Sequence, residues 1–70
     1  MVMNEVKSSA IKAVGFDPRT REMAVEFTSG DIYLYEGVSL IDFAELMNAQ
    51  SKGVYFHHNI KPCYTGQIVL

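Results

Sequence analysis

Residues 22–35, EMAVEFTSGDIYLY, decide the fold. From Glu22 to Thr28 the side chains alternate: Met23, Val25 and Phe27 fall on one face, Ala24, Glu26 and Thr28 on the other. A period of two is what a strand with one buried face requires. Ser29-Gly30-Asp31 follows, and glycine supplies the positive φ that a tight reversal needs. Ile32 to Val38 then returns as an antiparallel neighbour, with Tyr33 and Tyr35 on one face.

On the N-terminal side, Ile11 to Phe16 is β-branched, small or aromatic, and Asp17-Pro18-Arg19-Thr20 places Asp and Pro where a type I turn wants them. Three strands therefore form a meander. On the C-terminal side the period changes. Ser39-Leu40-Ile41-Asp42 is a capping-box-like start, and Leu40, Phe43, Ala44 and Met47 recur at helical spacing, which predicts a helix to the neighbourhood of Ala49. Ser51 can cap a second helix over Lys52 to Ile60, with Phe56 and Ile60 stacked four apart and Pro62 preventing continuation. Gln67 to Leu70 is β-prone and could add a short fourth strand at a sheet edge. The expected architecture is α+β: a three-stranded antiparallel meander, with that optional fourth strand, covered on one face by two short helices.

Seventy residues without repeat, linker or low-complexity segment make one domain, residues 1–70. An apolar content of 49% with a net charge of −2 gives enough material for a core and excludes the compositional class of disordered chains. Cys63 is the only cysteine, so no disulfide framework is available, and a lone thiol fits a reducing compartment. Met1 to Ala10 contains Asn4, Glu5 and Lys7 and has no continuous apolar run, so a cytoplasmic location is expected. A domain this short often gains stability from a second subunit.

The charges are unevenly divided. Residues 1–45 carry all eight acids, whereas residues 46–70 carry Lys52, Lys61, His57 and His58 and no acid. That segment can present a local positive face on an acidic chain. Tyr33 and Tyr35, with Phe27 on the neighbouring strand, could form a platform on which bases stack, or could fill the core with their hydroxyls reaching polar partners. Ser51-Lys52-Gly53 lies at a helix start, where an anion would be favoured and where plain capping is the alternative. His57, Asn59 and Lys61 complete the candidates for contacting nucleic acid or another anion. The other sheet face would carry Ala13, Ala24, Ile32 and Leu34, an apolar surface available for self-association.

Adjacent histidines diverge by roughly 100° on a helix, so His57 and His58 cannot chelate one metal together, and no metal or cofactor is expected. Asp42 and Glu45 share a helical face and are expected to support the helix start and face solvent. No nucleophile elbow, Cys–His arrangement or phosphate-binding glycine loop is present, so the chain is not expected to be an enzyme.

Ser8-Ser9-Ala10-Ile11, Phe16-Asp17-Pro18, Phe27-Thr28-Ser29-Gly30, Tyr33-Leu34-Tyr35 and Ser51-Lys52-Gly53-Val54-Tyr55-Phe56 with Asn59-Ile60 together resemble the KTSC domain across roughly residues 7–64. That family takes its name from a C-terminal segment of some lysyl-tRNA synthetases and also occurs as small stand-alone bacterial and phage proteins. The resemblance implies the fold and a link to RNA. Leu34 departs from the polar residue expected between the two tyrosines. Three readings of function follow: a non-catalytic RNA-binding or other nucleic-acid-binding module using the basic C-terminal segment and the tyrosines; a protein-interaction or phage-type accessory or anti-defence module acting as a homo-oligomer; and a binder of small anionic nucleotides at Ser51.

Overall fold

The computed structural model describes all residues, Met1–Leu70. Five strands form one antiparallel sheet in the order of the chain: β1 (Met3–Glu5), β2 (Ile11–Asp17), β3 (Glu22–Phe27), β4 (Ile32–Tyr35) and β5 (Gly66–Ile68). Between β4 and β5 lie α1 (Leu40–Asn48), α2 (Lys52–Tyr55) and a π turn (Phe56–Ile60) that continues α2. The α+β class is as expected, and the C-terminal strand is present. The helices cover the face that carries Met23, Val25, Tyr33 and Tyr35, and no helix is long and apolar enough to cross a membrane.

A bulge in β2 sets which side chains turn inward. Ile11 pairs with Phe27 but Ala13 with Glu26, so Lys12 is the extra residue. In an unbroken strand Ile11 and Val14, three apart, would face opposite sides. The bulge brings both into the core with Met23, Val25, Val38, Leu46 and Ile60, all fully buried. A side chain of this kind contributes about 1.5–3 kcal/mol when removed from water.

The strand count and two packing details differ from the expectation. β1 has little alternation of its own; it forms because Gly15 opposite Met3 leaves room. A Cβ on Gly15 would stand 2.7 Å from the Met3 sulfur and 3.0 Å from Met1 Cγ, so this N-terminal segment lies directly on the outer face of β2. β4 ends at Tyr35 instead of Val38, because Gly37 takes a positive φ of 74° and turns the chain toward α1. In α1 the inward stripe is Phe43, Leu46 and Met47, whereas Leu40 is 63% exposed and Ala44 is also exposed. The expected stripe thus had Phe43 and Met47 right, but took in Leu40 and Ala44, which face outward, and omitted Leu46.

Candidate functional site

Four aromatic rings meet where β3 and β4 pass beneath the π turn. Phe27 stands edge-on to Tyr33 at 5.8 Å and to Phe56 at 5.3 Å. Tyr35 stacks beside Tyr33 at 6.4 Å and stands edge-on to Phe56 at 5.6 Å, which closes the circuit. Edge-to-face contacts of this kind match positive ring edges to negative faces. The circuit lines an open cleft of about 230 Å³ whose remaining wall is Lys61. Tyr35 and Phe56 form its buried floor, while Phe27 and Tyr33 are half-buried at its mouth.

The strand period puts Tyr33 and Tyr35 on this face, as β4 pairs Tyr33 with Val25 and Tyr35 with Met23. The two tyrosines pack beneath the helices and also border an accessible space. Their hydroxyls do not find the polar partners a core role would supply, in contrast to those of Tyr55 and Tyr64. Burial, and then the neighbouring Tyr33, raises the Tyr35 hydroxyl above its usual pKa, so it stays protonated and able to donate.

Lys61 reaches the cleft through the π turn. Its amide bonds the Phe56 carbonyl at 2.9 Å, an i to i+5 step. A residue five along an α-helix is swung well away from the first, but π geometry sets it above the first, as i+4 is set in an α-helix. Lys61 thus stands over Phe56 and makes no ion pair. Phe56 and the π turn were the parts of this site that sequence reasoning missed: Phe56 reads as core by its spacing from Ile60, and nothing in FHHNI announces the change of helical pitch.

The other candidates are dispersed. At Ser51-Lys52-Gly53, the Ser51 hydroxyl accepts from the Val54 amide and the Lys52 ammonium donates to the Ala49 carbonyl at 2.9 Å. That is capping chemistry at both ends of the α1–α2 junction. Gly53 lies against the Ser8–Ala10 loop, where an added Cβ would meet Ala10 Cβ at 3.6 Å, ordinary van der Waals contact, so the position does not require glycine. Asn59 donates to the Tyr55 carbonyl, and His57 and His58 are exposed on the outside of the π turn. On the other sheet face, Ala13 and Ala24 are buried at 3% and 9% exposure within the single chain, and Ile32 and Leu34 are half-buried. The two alanines are therefore not part of a free surface, since the Met1–Met3 segment already lies on this side of the sheet beside them.

Asp42 also departs from expectation. Its carboxylate does not simply face solvent: it accepts from the Tyr55 hydroxyl at 3.0 Å and the Tyr64 hydroxyl at 2.6 Å, while the Tyr64 oxygen accepts from the Ser39 amide. Burial, the bond to Asp42 and the charges of Asp42 and Glu45 push the Tyr55 hydroxyl up to about 12. A group whose pKa is raised on folding supports stability fully below its unfolded value and loses that support as pH rises through the folded one. Denaturation midpoints should therefore fall between about pH 10 and 12, and Tyr55→Phe should flatten that fall. An equally steep fall in the variant would assign the effect to other groups.

Comparison with known proteins agrees with the fold. The KTSC domain model matches residues 7–64. A lysine–tRNA ligase of Nostoc sp. is 49% identical over 55 residues, which make up 79% of this chain and 10% of the ligase. The chain thus spans about a tenth of the length of that relative. A protein of Tsukamurella paurometabola is 42% identical over 60 residues, 86% of this chain and 90% of its own length. The crystal structure of a KTSC domain protein from Yersinia pestis aligns with a TM-score of 0.94 at 30% identity, covering 99% of this chain and 97% of the other.

Proposed function

The chain belongs to the KTSC domain family, and from that premise we propose that it is a small non-catalytic binding module for single-stranded nucleic acid, RNA in particular. The observation that carries this reading is the aromatic cleft with an unpaired lysine in its wall. Aromatic faces stack on bases whatever their sequence, at about 1–3 kcal/mol per base, and a lysine beside them supplies a counter-charge for phosphate. Lys61 forms no ion pair with any carboxylate, so its charge is available to a phosphate. Two tyrosine hydroxyls at the cleft supply further hydrogen-bonding groups for a ligand. Relatives named as lysine–tRNA ligases carry a similar segment, which favours RNA over DNA as the first ligand to test.

Fluorescence anisotropy with labelled tRNA and with single-stranded RNA at low salt is the direct test, because phosphate contacts are strongest there. Saturable binding to at least one of the two is expected. Lys61→Gln should weaken it about tenfold, the scale of one lost charge-assisted contact. Lys12→Gln removes the same charge from the opposite sheet face, where Lys12 lies 3.8 Å from Glu26, and should leave affinity unchanged. Undetectable binding at low salt would overturn the proposal.

A further inference from the structure

The dimensions and charge of the cleft narrow the kind of RNA it can hold. At about 230 Å³ it falls below the roughly 300–1,000 Å³ of sites that enclose a drug-sized molecule. A single heterocycle fits this space, and its sugar and phosphate remain outside. The floor is apolar, made by Tyr35 and Phe56, and the ring circuit offers faces and edges in place of a fixed hydrogen-bond pattern.

Four rings around a space also describe the cages that take quaternary ammonium groups by cation–π attraction. Lys61 in the wall opposes that use, because it would set one positive charge against another. Its position favours a planar ring joined to an anion. The cleft itself offers a single basic group: Lys61 is the only lysine or arginine lining it, Lys52 is committed to the Ala49 carbonyl, Lys12 and Arg19 lie against Glu26 and Asp17, and net charge is −2. A long strand held by many phosphates would need a continuous basic groove.

Resting on the RNA-binding reading above, we infer that the cleft takes one unstacked base at a time, with the adjoining phosphate at Lys61, so that the ligand is an RNA presenting an isolated unpaired nucleotide and not a duplex. A base inside a helix is stacked on both faces, and only one that is already unpaired enters without the cost of unstacking and unpairing. Sequence tolerance follows from the apolar lining. A shallow dependence on salt follows from the single lysine: the logarithmic slope is about −0.7 for each phosphate neutralised on a single strand, so a value on the order of −1 is expected.

The test compares a short RNA duplex carrying one bulged fluorescent adenine analogue with the same duplex fully paired, by anisotropy and by emission of the analogue. The bulged RNA should bind at least tenfold tighter, with emission quenched by stacking and a salt slope on the order of −1. Tyr33→Ala should abolish quenching. Lys61→Gln, a change at an exposed position that leaves the core intact, should remove most of the salt dependence. Equal binding of both RNAs, or a slope of several phosphates, would overturn the one-base site while leaving RNA binding in place. Failure of both RNAs and of tRNA to bind at low salt would overturn the RNA reading and this inference with it.

Discussion

Gly66→Ala is expected to destabilise the domain by about 2–3 kcal/mol, at the upper part of the range for overpacking a filled site. For a domain of this size that corresponds to a fall in melting temperature on the order of 10–20 °C. The Tyr35 ring lies across β5 directly over Gly66: a Cβ there would stand 2.6 Å from Tyr35 Cζ and closer still to Cε1. Something has to move. The ring is held by Phe56 on one side and Tyr33 on the other, so displacing it opens the aromatic circuit. The alternative is for β5 to lift away from β4, which gives up a ladder from Tyr35–Gly66 to Tyr33–Ile68. A double-mutant cycle separates this clash from a loss of backbone freedom. Tyr35→Ala alone should cost about 3–5 kcal/mol, as large-to-small aromatic changes do, but adding Gly66→Ala to it should cost little more. Full additivity would mean that the ring and the glycine are not in contact.

That contact shows where sequence reasoning stops. The alternation of residues 22–28 and the Ser29-Gly30-Asp31 reversal were enough to place Tyr33 and Tyr35 on the core face, because period and turn chemistry are local. Gly30 indeed sits at a φ of 100°. Ser39 and Ser51 were legible as caps for the same reason, and both accept the amide bond three residues on. What could not be read depended on partners distant in the chain. Gly66 looks like part of a loop until Tyr35 is known to cross it. β1 exists through Gly15, and its own residues do not alternate strongly enough to announce a strand. The π turn moves Lys61 to the cleft while Phe56 and Ile60 keep the four-residue spacing of an ordinary helix. Four of the five residues that line the cleft, Phe27, Tyr33, Tyr35 and Lys61, were thus identifiable by residue type, but the geometry that joins them was not.

Asp42→Ala is the second change with a large expected effect, about 2–3 kcal/mol by urea denaturation. Asp42 ties three parts of the chain together: its own amide donates to the Ser39 hydroxyl at the start of α1, one carboxylate oxygen holds Tyr55 of α2, and the other holds Tyr64 beyond the π turn. A hydrogen bond to a charged group contributes about 1.5–3 kcal/mol when buried. Asp42 and both tyrosines are only half-buried, so water replaces part of what is lost, and the sum falls below twice that value. Asp42→Asn keeps one acceptor oxygen and the shape of the side chain, and should cost roughly half as much. Of the single hydroxyl deletions, Tyr64→Phe should exceed Tyr55→Phe, because the Tyr64 bond is the shorter and its oxygen also accepts the Ser39 amide. A loss under about 0.5 kcal/mol for Asp42→Ala, the scale of an ordinary surface substitution, would show that the helical layer is held by apolar packing alone. The effect should also reach the cleft. Lys61 lies between Tyr55 and Tyr64 in the chain, so releasing both anchors frees the segment that carries it, and RNA affinity should fall in Asp42→Ala although Asp42 does not line the cleft.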